Sequence, residues 1–226
     1  MDVRFWKRHT TKRTWVSISW GTLLGVTQRQ DAQRNRELLL EAGEQVFREH
    51  GLHVPLQLIA ERAGVGRGTL YRHFPDRDHL ARAMIERRVD LIEQRLAAAP
   101  DPARSVEEIF FWIADTLSAI PGLHPYLAST EAGRTALEQL NQQLRGLLAG
   151  PVEAARAQGL VRPGVTLDDF VCSWAMIEGG MLAVPAQDRS RLVARAKTLL
   201  GSALFVRASG HPSGRPVRAP PSPGGL

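Results

Sequence analysis

From Asp31 onward apolar residues recur every three or four positions, the spacing of helices with one buried face. Leu38, Leu39, Ala42, Val46 and Phe47 form one stripe, with Arg34, Arg36, Glu37, Glu41 and Glu49 on the other faces. Gly51 stands where a C′ glycine ends a helix. Val54-Pro55 opens a second, short helix, since proline at the first helical position gives up no needed donor. Leu56, Ile59, Ala60 and Ala63 are its buried side. Gly64-Val65-Gly66 interrupts the pattern, and a third short helix runs from Arg67 to Phe74. Pro75-Asp76 ends that one, and Asp76 suits the N-cap of a long helix from Arg77 to about Ala99, with Leu80, Met84, Val89 and Leu91 toward one side.

Pro100-Asp101-Pro102 marks a boundary, and helical periodicity resumes beyond it. Helices are predicted over Val106–Ile120, Glu131–Leu148, Val152–Gln158, Leu167–Val184 and Asp188–Val206, with breaks at Pro121-Gly122 and Gly159. No internal repeat and no strand stand out. The expected fold is all-α, a three-helix N-terminal head followed by a helical second domain. Its parts are a basic arm at 1–28, a DNA-binding head at 29–76 with its motif at 54–74, a connecting helix at 77–99, a second domain at 103–206, and a tail at 207–226. The tail is rich in Pro, Gly and Ser, cannot bury a core, and is expected to be disordered.

Net charge changes the picture less than its total suggests. The chain carries +6, yet residues 1–28 hold five Lys or Arg against one Asp, and 207–226 hold three Arg and no acid. The helical body between them is close to neutral, so local placement of charge carries more than the sum. The apolar stretch Trp15–Val26 behind Arg4, Lys7, Arg8, Lys12 and Arg13 has the outline of a signal peptide or anchor. It is interrupted by Ser17, Ser19, Gly21 and Thr22 and is too short to span a bilayer, so the expectation is a flexible basic arm or residues translated from an upstream start. One cysteine, Cys172, leaves no disulfide framework and no multi-cysteine zinc site, makes the cytoplasm the default compartment, and reads as a small buried hydrophobe.

Two short helices joined by a glycine-bearing turn set the second across the first, the geometry of a helix that enters the major groove. Ala60, Ala63 and Gly64 let the backbones approach, and Leu70 and Phe74, spaced i, i+4, face inward. Arg67, Gly68, Thr69, Tyr71 and Arg72 are left outward, with donors for phosphates and base edges and no carboxylate to repel them. The run from Ile59 to Phe74, with Ala42, Phe47 and Gly51 before it and Pro75, Arg77 and Leu80 after it, resembles the signature of the TetR/AcrR family of repressors over roughly residues 31–91. The resemblance implies that Arg67 and Thr69 reach bases or nearby phosphates, that Tyr71 and His73 hold the phosphate backbone, and that Arg72 contacts either. Arg77 stands where members usually carry a phosphate-gripping Lys. The lesser alternative is that Tyr71 and His73 pack against the first helix and that Arg72 and Arg77 are solvated charges. Gly66 departs from the Ser or Thr that usually caps the recognition helix, a loss of a few tenths of a kcal/mol at most.

The resemblance further implies a homodimer formed through the last two long helices as a four-helix bundle, and a pocket in the second domain for a small-molecule effector. Phe111, Trp112, Tyr126, Trp174, Met176 and Met181 suit an aromatic-lined cavity; Glu178 and His124 are candidate polar groups for it, though a surface location is the stronger expectation for each. Plain core is the alternative for the apolar ones. No GxSxG, HExxH or phosphate loop is present, and the seven histidines are scattered, so neither an enzyme nor a metal or cofactor site is expected. The functional expectation is a repressor that a small molecule releases from a pseudo-palindromic double-stranded DNA operator, with no membrane partner. Its rival is sequence-indifferent DNA binding through the two basic ends.

Overall fold

Why the head holds its shape is visible in one side of α1 (Trp20–His50), where Leu39, Leu40, Ala42, Val46 and Phe47 are all buried. The computed structural model to which these elements belong describes residues 2–9 and 12–206. Gly51 ends α1 at φ 82°, a left-handed conformation that suits glycine, and its N–H returns to the Phe47 carbonyl at 2.9 Å. Helix α2 (Gln57–Ala63) closes on Gly64 at φ 67°, α3 (Arg67–His73) follows at once, and α4 (Arg77–Ala98) begins on an Asp76 cap whose carboxylate accepts from the His79 N–H at 2.9 Å. Arg62 ties α2 to α1 through both Glu49 oxygens, at 2.7 and 3.1 Å. Arg87 ties α4 to the same helix through Glu37 at 3.2 Å and Glu41 at 3.1 Å.

The second half comprises α5 (Val106–Ala119), α6 (Leu123–Ala128), α7 (Glu131–Ala157), α8 (Leu167–Ala183) and α9 (Arg189–Leu204). Two hydrophobic cores result. The first joins α1, α2, α3 and the start of α4 to Ile120, Leu123 and Leu127, so α6 packs into the head. The second joins the end of α4 to α5, α7, α8 and α9 around Phe110, Phe170, Trp174 and Phe205. Phe110 stacks on Trp174 at 5.6 Å and meets Phe170 edge-on at 5.5 Å, arrangements that favour the ring quadrupoles. Helix α4 places buried side chains in both cores, and α7 bridges them too, with Leu137 and Leu140 against the first and Leu148, Val152 and Ala155 in the second.

Four expectations need correction. Residues Asp2–His9 (β1) and Lys12–Ser19 (β2) pair as antiparallel strands, opposing Val3 to Ile18, Phe5 to Val16 and Trp6 to Trp15. These β-branched and aromatic residues favour pairing, a signal hidden under the count of basic side chains. Helix α1 then starts at Trp20, well before Asp31, so no structural break falls at residue 28. Helix α7 runs unbroken through Pro151. The proline forfeits one backbone bond, but Leu148, Val152 and Ala155 remain buried on either side of it and keep the helix seated. Finally, Cys172 is exposed. The tail at 207–226 lies outside the described residues.

Candidate nucleic-acid interface and ligand cavity

Helix α3 is held by its inner face alone. Leu70 is 0% and Phe74 1% exposed, while Arg67, Gly68, Tyr71 and Arg72 are exposed and Thr69 is half-buried. The Gly66 cap is extended and offers no side-chain bond, though its carbonyl accepts from the Thr69 N–H at 2.9 Å. The Arg67 guanidinium lies 5.6 Å from the Tyr71 ring centre, one helical turn on, which orients both side chains outward together. Neither Arg67 nor Arg72 forms an ion pair among the described residues, in contrast to Arg62 and Arg87. The outer face of α3 therefore carries two uncommitted cations, a hydroxyl and a phenol.

His73 is half-buried, tilted against Phe74 at 6.3 Å. Burial first, then Arg36 and Arg72, push its imidazole below the ordinary value. It is neutral near pH 7, with one N–H to give. Arg77 differs from what the sequence leads one to expect. Its Nη2 donates to the Val54 carbonyl at 2.7 Å and its Nη1 to the Leu52 carbonyl, while the guanidinium lies 5.9 Å from the Phe47 ring. The loop between α1 and α2 has carbonyls with no helical partner, and the arginine fork satisfies two of them. Both terminal nitrogens point into the head, so Arg77 acts as a strut between α4 and the α1–α2 loop.

A cavity of about 170 Å³ opens where α4 passes between the two cores, bounded by α5, α6, α7 and α8. Trp112, Trp174, Glu178 and His124 line it. The other candidates lie elsewhere. Phe111 packs against Phe205 and beside Gly201, Met181 is core, and Met176 is 61% exposed. Tyr126 donates to Asp78 at 2.5 Å. Burial, then that acceptor, pushes its phenol up to about 12, so it stays a donor at physiological pH. Sequence reasoning missed Arg88, Thr116 and Asn141 on the cavity wall. Arg88 left a signal. Leu80, Met84, Arg88, Ile92 and Leu96 repeat at i, i+4, and all five are buried, so an arginine occupies a core position of an apolar stripe. His124 Nδ1 stands 3.1 Å from Glu178 Oε1 across the wall. Among the described residues no group of three or more His, Cys, Asp or Glu could hold a metal ion, and no helix is long and apolar enough to cross a membrane.

Comparison with known proteins points one way. The model of bacterial regulatory proteins of the tetR family matches residues 39–84. An HTH-type transcriptional regulator of Staphylococcus aureus (strain USA300) is 34% identical over 82 residues, 36% of this chain and 44% of that protein, so the match spans less than half of that relative's length. Among solved structures, a TetR transcription regulatory protein from Mycobacterium vanbaalenii is 30% identical, with a TM-score of 0.57 over 79% of this chain and 99% of that one. A TetR transcriptional regulator from Streptomyces coelicolor is 27% identical, with a TM-score of 0.58 over 76% of this chain and 99% of the other.

Proposed function

The chain belongs to the TetR family of bacterial regulatory proteins, and on that premise we propose that it is a homodimeric, sequence-specific DNA-binding transcriptional regulator, a repressor released from its operator by a small molecule in the cavity. The observation that carries this reading is the outer face of α3: Arg67 and Arg72 form no ion pair among the described residues, the helix carries no carboxylate, and Leu70 and Phe74 anchor the opposite side. Two such helices, one per protomer, enter successive major grooves of a pseudo-palindromic site.

The dimer is supported by α8 and α9. Cys172, Met176, Gly179, Leu182 and Ala183 form an exposed apolar or small stripe along α8, and Leu199 on α9 is 53% exposed. Such a face is stable in water when a second copy covers it as a four-helix bundle. Met176→Glu is expected to convert the dimer to monomer in analytical ultracentrifugation; an unchanged sedimentation coefficient counts against α8 as the interface.

Communication between cavity and head runs through α6. His124 lines the cavity, and Tyr126, two residues on, holds Asp78 beside the Arg77 strut. A ligand that displaces His124 therefore shifts the point where α4 joins the head, with a coupling of about 1–3 kcal/mol typical of such pairs of sites. Fluorescence anisotropy on the DNA upstream of its own gene tests the reading. Preference for that DNA over random sequence is expected, and equal affinity for both overturns it. In the same assay Arg67→Ala should change which base pairs are preferred, by about 1–3 kcal/mol at the contacted position.

A further inference from the structure

Arginine is among the most costly side chains to bury without a partner, because it keeps its charge at any physiological pH. Arg88 is 8% exposed, and its Nη1 is enclosed with no hydrogen-bond partner among the described residues. It stands on the wall of the cavity. Burial draws its pKa below the ordinary value, while Glu44 and Glu178 favour the charged form and Arg48 opposes it. Neither carboxylate forms an ion pair with it among the described residues, and Glu178 already faces His124 at 3.1 Å. Nη1 itself is closed in by protein, while the residue lines the empty volume, so Arg88 is a desolvated cation at the cavity edge and half of a recognition pair.

The rest of the wall says what the other half carries. A carboxylate presents two oxygens that match the guanidinium fork. The same wall carries Trp112, Trp174, Ile92, Leu144 and Val171, apolar surface that a bare phosphate would leave uncovered, with Thr116, Asn141 and the His124–Glu178 pair as its other polar groups. Both indoles are fixed in place. Trp174 Nε1 donates to the Phe110 carbonyl at 3.1 Å, and the Trp112 ring lies 4.2 Å from the Arg95 guanidinium. At about 170 Å³ the space is smaller than the roughly 300 Å³ at which pockets for drug-sized molecules begin. That is room for a single ring.

We propose that the cavity binds a small single-ring carboxylate, its anionic group gripped by Arg88 and its ring lying among Trp112, Trp174 and the neighbouring aliphatic side chains. As the identity of an effector, this rests on the regulator reading above; as a binding site, it is testable without DNA.

Benzoate is a suitable probe, and benzamide its neutral isostere. Titration of the full-length protein with benzoate should give a saturable change in tryptophan fluorescence at millimolar concentration or below, and benzamide should bind at least about tenfold more weakly. Arg88→Met keeps the bulk of the side chain and removes its charge, so it should bind both equally. That variant also loses a buried unpaired charge and should melt no lower than wild type, which separates lost binding from lost folding. The wild-type comparison decides the matter even if the variant fails to fold. Equal affinity for the two probes, no benzoate saturation at millimolar concentration, or full benzoate discrimination by a folded Arg88→Met overturns the proposal. Operator DNA keeps the two readings apart. Benzoate that binds without changing operator affinity leaves the anion site standing and removes this ligand class as effector. Operator release by a neutral or cationic compound, with no benzoate binding, does the reverse.

Discussion

Phe74→Ala is expected to cost the protein about 3–5 kcal/mol, the range for a fully buried phenylalanine whose site cannot collapse. Phe74 is 1% exposed and sits at the end of α3 with an extended backbone. Its ring packs into the head core and lies 5.2 Å from the Arg36 guanidinium on α1. Its N–H still donates to the Leu70 carbonyl at 2.8 Å after truncation, so the loss is one of packing. For a chain of this size the melting temperature should fall by roughly 6–20 °C, read by circular dichroism. Operator affinity should fall as well at temperatures where the variant remains folded, because α3 has lost one of its two anchors. A melting temperature within about 2 °C of wild type would show that Phe74 is not what seats the recognition helix.

Arg77→Ala is the second large effect, and its signature differs from that of a phosphate contact. Removing the side chain strips the donor partners from the Leu52 and Val54 carbonyls. Each bond from a charged donor contributes about 1.5–3 kcal/mol, so the expected loss is about 3 kcal/mol or more in stability. Arg77→Lys should recover less than half, since an ammonium cannot fork across two carbonyls. The salt dependence of operator binding should keep its slope in both variants. A slope shallower by about one unit with unchanged stability is the result a phosphate clamp would give, and it would restore the role implied by resemblance alone.

Much of the head is legible in the sequence because its signals are local. Gly51 and Gly64 end helices where a left-handed residue is required, and Asp76 caps α4 through its own side chain. The inward placing of Leu70 and Phe74 follows from spacing within one helix. What escaped depends on partners distant in the chain. Helix α6 is six residues long, and what holds it is the head core that Leu123 and Leu127 enter. Arg77 has the sequence context of a surface cation, and only the path of the α1–α2 loop turns it inward. Trp112 and Trp174 reach the cavity, while Met176 and Met181, on the same helix as Trp174, point to solvent and core. Periodicity tells that α8 has two faces but not which neighbour each meets. Arg88 was legible in principle, since a charge at a core register of an apolar stripe asks for an explanation.

Helix α4 carries Arg77 at its first residue and Arg88 eleven positions later without interruption, which places the head joint about 16 Å from the cavity at about 1.5 Å per residue. A rigid rod of that length converts a small angle into a large displacement. A tilt of about 10° pivoting near Arg88 would carry the head end about 3 Å sideways. In a twofold dimer the two heads swing in opposite senses, so their separation changes by about 6 Å against a half-site spacing of about 34 Å. A molecule no larger than one ring, acting on the middle of this rod, could thus put both reading helices out of step with the turns of a duplex.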